Sequence, residues 1–477
     1  MRYSIFIIAL LSGCAAVGPN YQPPKTRVPA SFGEVGGATT QPSKTTSRAV
    51  EITQWWATFG DPELDSLIDR AVAGNYDLQE AESRIRQARS QLLIARADQL
   101  PELDSSAGYS HQRYSGTGPF SLLPEKEFNL YQAGFDASWE IDVFGRVRRS
   151  VEAANADARA AMEDQRDVYV TLLGDVARNY VELRGAQRRL AIAKQNLASQ
   201  EQTLDLIRSR NRAGFVTNLD VSRQAAQVAT TASAIPAFET AAANNIHALG
   251  TLLGQDPESL ADELTPPAPI PPTPPEVPVG VPAEMLRRRP DIRRAENQLA
   301  AATARVGVAT ADLYPRFTLS GNINLEGDTI GHFTSYDSRA FGFGPALSWP
   351  IFDAGRIRAN IAVSNERQKQ SLLNYQQTVL GALREVEDAL ASFRNEQARR
   401  ASLADAVTNS RDATDLARQQ YEKGVIDFLT VLDAQRVQFD AEDALVQSDR
   451  DVSTSLVALY KALGGGWEAQ GARDQVR

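Results

Sequence analysis

Few residues of this 477-residue chain are of the types that make and break bonds. There is one cysteine, Cys14, so an intramolecular disulfide is impossible, and the three histidines, His111, His247 and His332, are far apart in sequence. No HExxH, CxxC or glycine-rich phosphate loop is present. Nothing assembles a nucleophile with a base or a set of metal ligands, and the chain reads as a non-enzyme with no cofactor and no metal. The charged residues at a telling spacing lie in Leu429-Thr430-Val431-Leu432-Asp433, where positions 429 and 433 share one helical face and Arg436 follows a turn later. Alone, that row reads as a solvated polar face beside a leucine of a coil seam.

The chemistry expected at Cys14 is set by what precedes it. Arg2 supplies a positive charge and residues 3–11 an apolar run too short to span a bilayer, so residues 1–13 read as an export signal peptide. Leu11-Ser12-Gly13-Cys14 resembles a bacterial lipobox, in which small residues precede a cysteine that is lipidated (palmitate is expected) and becomes the new N-terminus. Ala15 follows, not the aspartate that holds such lipoproteins in the inner membrane, which favours the outer membrane. Beyond the signal no long apolar segment remains, so any membrane span must be β.

The elements that would position such residues are written twice. Trp139-Glu140-Ile141-Asp142-Val143-Phe144-Gly145-Arg146 recurs 210 positions later as Trp349-Pro350-Ile351-Phe352-Asp353-Ala354-Gly355-Arg356, and Gly214 pairs with Gly424 at the same offset. Ala97-Asp98-Gln99-Leu100-Pro101 pairs with Ala311-Asp312-Leu313-Tyr314-Pro315 at 214, which puts the difference in a longer first loop. Between the copies, residues 266–282 hold nine prolines and read as an extended linker. The expected segments are a signal at 1–13, a lipid-anchored extended stretch at 14–60, repeat 1 at 61–265, the linker, repeat 2 at 283–464 and a tail at 465–477.

Each repeat reads helix, strand, strand, very long helix, tight break, helix. Gly145 and Gly214 are 69 positions apart, as are Gly355 and Gly424, with no proline between. A continuous helix of that length reaches about 100 Å. Leu183, Leu190, Leu197 and Leu204 fall at sevens, with Ala186, Ala193, Gln200 and Ile207 three further on, a left-handed supercoil pattern. Aromatics at 7% and a net charge of −9 fit long helices and disfavour nucleic-acid binding. The strands, in hairpins at about 102–142 and 316–352, alternate with period two. Tyr131, Ala133, Phe135, Ala137, Trp139 and Ile141 share one face, and so do Phe317, Leu319, Gly321, Ile323 and Leu325. Phe341, Phe343, Leu347, Trp349 and Ile351 alternate with Gly342, Gly344 and Ser348, whereas residues 103–113 alternate less clearly. Tryptophans at strand ends suit a membrane interface. Four strands are too few to close a barrel, and three chains would give twelve.

Several motifs, taken together, resemble the outer-membrane factor (TolC-like) family of bacterial efflux systems, in its lipid-anchored OprM/NodT-type branch. They are Val17-Gly18-Pro19-Asn20-Tyr21 after Cys14, Trp55-Trp56-Ala57-Thr58-Phe59-Gly60-Asp61-Pro62-Glu63-Leu64, Asn75-Tyr76-Asp77-Leu78, Arg288-Arg289-Pro290-Asp291-Ile292 and Leu429-Thr430-Val431-Leu432-Asp433-Ala434-Gln435-Arg436. The resemblance implies a mainly α fold with membrane β: a trimeric 12-stranded β-barrel continuous with a 12-helix α-barrel, two structural repeats per chain, and a waist built partly by Trp55, Trp56 and residues 62–74. It implies an outer-membrane channel reaching into the periplasm. The channel would passively conduct small molecules delivered by an inner-membrane pump of RND type through a periplasmic adaptor. The tips at Gly214, Phe215, Gly424 and Val425 would contact that adaptor. Leu429 would form an apolar ring and Asp433 an acidic ring at the periplasmic gate, tempered by Arg436, and Asp220 with Tyr421 would form a closed-state latch.

Two departures matter. Thr430 stands where some members carry a first aspartate, so any acidic ring is single, and Ile426 stands where an arginine ties the closed tips. The competing readings are a channel for type I protein secretion, with the same fold, and a periplasmic coiled-coil lipoprotein without a pore.

Overall fold

The computed structural model describes residues 16–34, 42–46, 53–115, 117 and 127–468. The signal stretch, Cys14 and residues 469–477 lie outside the described residues. In chain order the strands are β1 (Lys44–Thr46), β2 (Glu102–Arg113), β3 (Glu127–Ile141), β4 (Glu276–Pro278), β5 (Arg316–Gly327) and β6 (Arg339–Ser348). The helices are α1 (Pro62–Gly74), α2 (Tyr76–Ala97), α3 (Arg146–Arg212), α4 (Asn218–Leu252), α5 (Ala261–Leu264), α6 (Pro282–Arg288), α7 (Pro290–Ala311), α8 (Arg356–Glu422) and α9 (Phe428–Ala462). Helices α3 and α8 are both 67 residues long, and α4 and α9 both 35. No described helix is long and apolar enough to cross a membrane.

The chain divides into two compact units. The first gathers residues 1–25, 83–162 and 294–376 and holds an antiparallel sheet in the order β2-β3-β5-β6. Its register sorts the two faces. Ser105, Phe135, Ile323 and Phe341 stand opposite one another on one side, as do Leu103, Ala137, Gly321 and Phe343. Asp104, Asp136, Asn322 and Gly342 form a row on the other. Directly opposed residues point to the same face, so one face is apolar and the other polar. The apolar face is uncovered, with Phe343 84% exposed. The sheet is open in one chain, with β2 and β6 as its edges. Pro350 follows β6 and has no amide to extend the ladder. Trp139 and Trp349 make equivalent ties, donating Nε1 to the carbonyls of Gln99 at 3.0 Å and Leu313 at 3.1 Å.

The second unit gathers residues 26–82, 163–293 and 377–477. Asp61 caps α1, accepting from the amides of Glu63 and Leu64, and takes the Tyr180 hydroxyl at 2.8 Å. Trp55 and Trp56 are buried, and Trp55 stacks on Tyr460 with centroids 5.3 Å apart. Of the seam positions on α3, Leu183, Ala186, Ala193, Gln200, Leu204 and Ile207 are buried, while Leu190 and Leu197 are half-buried. The proline-rich connector is more than a spacer. Its β4 pairs in parallel with β1, and carbonyls beside it are held by Arg184, Gln187 and Ser453. Proline can sit in such a ladder because β4 belongs to a two-stranded sheet, where one side of each strand needs no donor.

Arg289 explains why its motif is needed. The buried guanidinium donates to Ala462 O at 2.6 Å, to both oxygens of Asp291 at 3.0 and 2.7 Å, and to Glu385 at 2.8 Å. It joins α7, α8 and the end of α9. The following residues are packed as well: Trp467 donates to Arg288 O and lies under Arg166 and Arg293 at 4.5 and 5.4 Å. Arg289→Ala strands Asp291 and the end of α9 and should cost about 3 kcal/mol. Trp467→Ala loses a hydrogen bond and cation–π contacts, about 1–2 kcal/mol. Thermal melts followed by circular dichroism should rank the two variants in that order.

Candidate functional site

Two helical hairpins in the second unit carry the charged face singled out above. The first turns where α3 gives way to α4. Gly214 has φ +82°, a left-handed conformation that costs glycine little, and the Gly214 and Phe215 amides return to the carbonyls of Asn211 and Arg210. Thr217 then opens α4 in a capping box with Asp220, whose carboxylate accepts from the Thr217 amide at 3.1 Å and hydroxyl at 2.8 Å. The second hairpin repeats the backbone with different side chains. Gly424 has φ +76°, Val425 N returns to Gln420 O, and Asp427 caps α9 through the amide and hydroxyl of Thr430 at 3.1 and 2.7 Å. The Thr430 hydroxyl and amide, with the charge of Arg223 nearby, hold the Asp427 carboxyl below its usual range.

The tip residues Phe215 and Val425 are 80% and 69% exposed. Behind them Tyr421, Ile207, Ala417, Phe428 and Val431 form a buried apolar cluster, against which Ile426 and Leu432 pack. Ile426 therefore has a packing role where the family arginine would have a polar one. The structure does not bring Asp220 and Tyr421 together: Asp220 is engaged by Thr217, and the buried Tyr421 hydroxyl has no hydrogen-bond partner among the described residues. What Tyr421 does have is Arg210, whose guanidinium lies 4.7 Å above its ring and reaches the Tyr421 and Glu422 carbonyls at 3.4 Å. This link from α3 to the end of α8 went unseen in the sequence, where only an arginine one helical turn before Gly214 could have hinted at it.

On α9, Leu429, Asp433 and Arg436 share an exposed face. Leu429 is 47% exposed, and the side chains of Asp433 and Arg436 are 65% and 62% exposed with Nη2 3.4 Å from Oδ1. The face is a sparse row of one apolar, one acidic and one basic group, with the acid already partly neutralised by its neighbour.

Further along, polar ties fasten α9 to its neighbours. Arg189 grips both oxygens of Asp443 at 2.7 and 3.0 Å. The buried Glu442 carboxylate receives Arg411 at 2.7 Å, Gln438 at 3.1 Å and Asn196 at 3.3 Å. Burial opposes the charge of Glu442, but the donors from Gln438, Arg411 and Asn196 outweigh it and hold the carboxyl below the ordinary range. Because the folded pKa is depressed, this stabilisation is complete above the unfolded value of about 4.3 and is lost as pH falls through the folded one. Glu442→Gln should cost about 2 kcal/mol at pH 7. Melting temperature followed from pH 7 to pH 3 should converge with that of the unsubstituted chain in acid; parallel curves would mean Glu442 is not the titrating tie.

The sequence model of the outer membrane efflux protein family matches residues 67–255 and 281–465. Nodulation protein T of Rhizobium leguminosarum bv. trifolii is 33% identical over 469 residues, 98% of this chain and 97% of that protein. The pyoverdine export outer membrane protein OpmQ of Pseudomonas aeruginosa is 36% identical over 89% of each chain. The solved structure of the outer-membrane channel OprN superposes with a TM-score of 0.89 at 37% identity, covering 95% of this chain and all of that one.

Proposed function

This chain belongs to the outer membrane efflux protein family, and on that premise we propose that it is the outer-membrane conduit of a tripartite efflux system. The observation that carries the reading is the open four-stranded sheet, with an uncovered apolar face, a polar face and two unpaired edges. Lipid tolerates no unpaired strand edge, and three copies supply twelve strands to a closed wall, apolar outside and polar within. The helical hairpins of the three copies form a twelve-helix barrel on the periplasmic side. Relatives named for export of pyoverdine and for efflux of toluene favour small-molecule cargo over protein secretion.

Residues 1–13 direct export, Cys14 is acylated, and its lipid adds an outer-membrane anchor. An inner-membrane pump of RND type supplies the energy, and a periplasmic adaptor grips the tips at Gly214, Phe215, Gly424 and Val425. The exposure of Phe215 and Val425 supports this, since solvent-facing apolar residues at a turn serve a partner better than a core. At the periplasmic mouth, Leu429 from each copy narrows the passage. Asp433 from each copy sets a single acidic ring, which attracts cations and disfavours anions, and Arg436 weakens its field. The Asp220–Tyr421 latch belongs to another arrangement of the tips, because here the Tyr421 hydroxyl is enclosed and Asp220 is engaged by Thr217.

Single-channel recording in planar bilayers tests this reading. Trimers of the unsubstituted chain should give a small, cation-selective conductance, and Leu429→Ala with Asp433→Ala should raise it several-fold while lowering cation preference. No conductance from well-folded trimers in either form would sink the channel, and equal large conductances would move the gate away from this face.

A further inference from the structure

Residues 16–20 lie in a socket. Arg149, on the first turn of α3, is buried, and its guanidinium faces the N-terminal segment. Its Nε donates to Val17 O at 3.1 Å and its Nη2 to Asn20 Oδ1 at 2.7 Å, with 3.4 Å contacts to the carbonyls of Ala16 and Gly18. Glu152, one turn on, takes Nη1 at 2.7 Å and balances the charge, leaving the other donors to neutral carbonyls of the segment. Val17 N donates to Phe144 O at 3.0 Å, which fixes the segment to the turn between β3 and α3.

Glycines from three separate stretches make room for this. A Cβ on Gly18, whose φ is +87°, would lie 2.5 Å from Gly307 Cα. One on Gly145 would lie 2.4 Å from Ala16 Cβ, and one on Gly307 would lie 2.9 Å from Arg149 Cδ. The repeat makes the arrangement informative. Position 359, the counterpart of Arg149, is alanine, and Gly355, the counterpart of Gly145, has open space where its Cβ would stand. The strand-to-helix turn occurs twice, but only the first is built to hold a peptide.

We propose that Arg149 is the positioning residue of the N-terminal anchor, locking residues 16–20 against the β3–α3 turn. One residue, Ala15, separates Ala16 from position 14, a reach of about 7 Å at full stretch, so a group attached there would be held near the end of β3. The lock itself stands on the geometry, while its role as an anchor guide rests on the acylation of Cys14 proposed above. Arginine suits the task because its fork serves several carbonyls at once, whereas lysine offers a single point.

A spin label at Pro19→Cys, an exposed position inside the locked segment, reads this directly in full-length trimers in lipid nanodiscs. The mass of the N-terminal peptide reports acylation of Cys14 in the same samples. The label should be immobilised in otherwise unsubstituted chains, largely freed by Arg149→Ala, and partly restrained again by Arg149→Lys. A residue that only packed helices would not show this rescue at a site in the N-terminal segment. Should Arg149→Ala fail to fold, Asn20→Ala removes the 2.7 Å contact outside any helix and should raise the mobile fraction about twofold. A label mobile in the unsubstituted chain, or equally immobile in both alanine variants, overturns the proposal. Unmodified Cys14 with a label that Arg149→Ala still frees supports the lock and removes only its anchor role.

Discussion

An edge strand facing hydrocarbon has nowhere to send its amides and carbonyls, and on the membrane reading proposed above that constraint governs the sheet of this chain. The sheet of β2, β3, β5 and β6 leaves one apolar face uncovered and, among the described residues, ends on β2 and β6 without further strand partners. Its interior strands are locked by register: a slip of one residue would carry Phe135 and Ile323 to the side of Asp136 and Asn322. In the assembly proposed above, copies of the chain complete what one cannot, and closure would set the strand count before any helix is considered. Trp139 and Trp349 then fasten each hairpin to the residues just before it, so the hairpins enter and leave at fixed points.

The duplication supplies matched lengths and leaves the chemistry free to drift. Both long helices run 67 residues and both shorter ones 35, and a glycine at positive φ breaks each pair. The fittings differ. One tip is capped by Thr217 with Asp220, the other by Asp427 with Thr430. Asp142 receives the amides that open α3, while Asp353, shifted by one position relative to the repeat offset, receives those that open α8. An orphan amide at a helix start needs an acceptor within reach and is indifferent to which residue provides it.

This is also why some features could be read from the sequence and others could not. Period-two alternation, glycines at equal offsets and a proline-rich connector are repeated signals, and the sheet, the helix lengths and the tips follow from them. Individual long-range contacts have no period. Nothing around Arg210 marks it as the cover of Tyr421, and nothing around Glu442 marks it as the acceptor for Asn196, Gln438 and Arg411. The connector read as extended, which is compatible with β4, but its pairing with Lys44–Thr46 requires knowing where residues 44–46 lie. The stretch read as a tail begins at residue 465, and its Trp467 is packed, an aromatic whose two arginine neighbours are far away in sequence. For the face of Leu429, Asp433 and Arg436, the spacing was legible and places the three on one exposed face, while the ring proposed above needs other copies of the chain.

The distribution of polar and apolar contacts at the tips bears on how such a ring could change width. Leu429, Asp433 and Arg436 hold little together within the chain, since an exposed, single-contact ion pair stabilises weakly. Directly behind them, Tyr421, Phe428, Val431 and Ile207 are packed, and separating them would expose apolar surface at about 25 cal/mol per Å². The hairpin of α8 and α9 is therefore stiff across its own seam, and α3 is bound into the same cluster through Ile207 and Arg210. On the gate reading proposed above, motion that widens the mouth at low cost would keep this cluster whole and act on contacts between copies. Thr430 and Ile426 fit that division: the exposed Thr430 donates its amide and hydroxyl to the cap Asp427, and Ile426 packs on the cluster, so neither brings a charge to the tip.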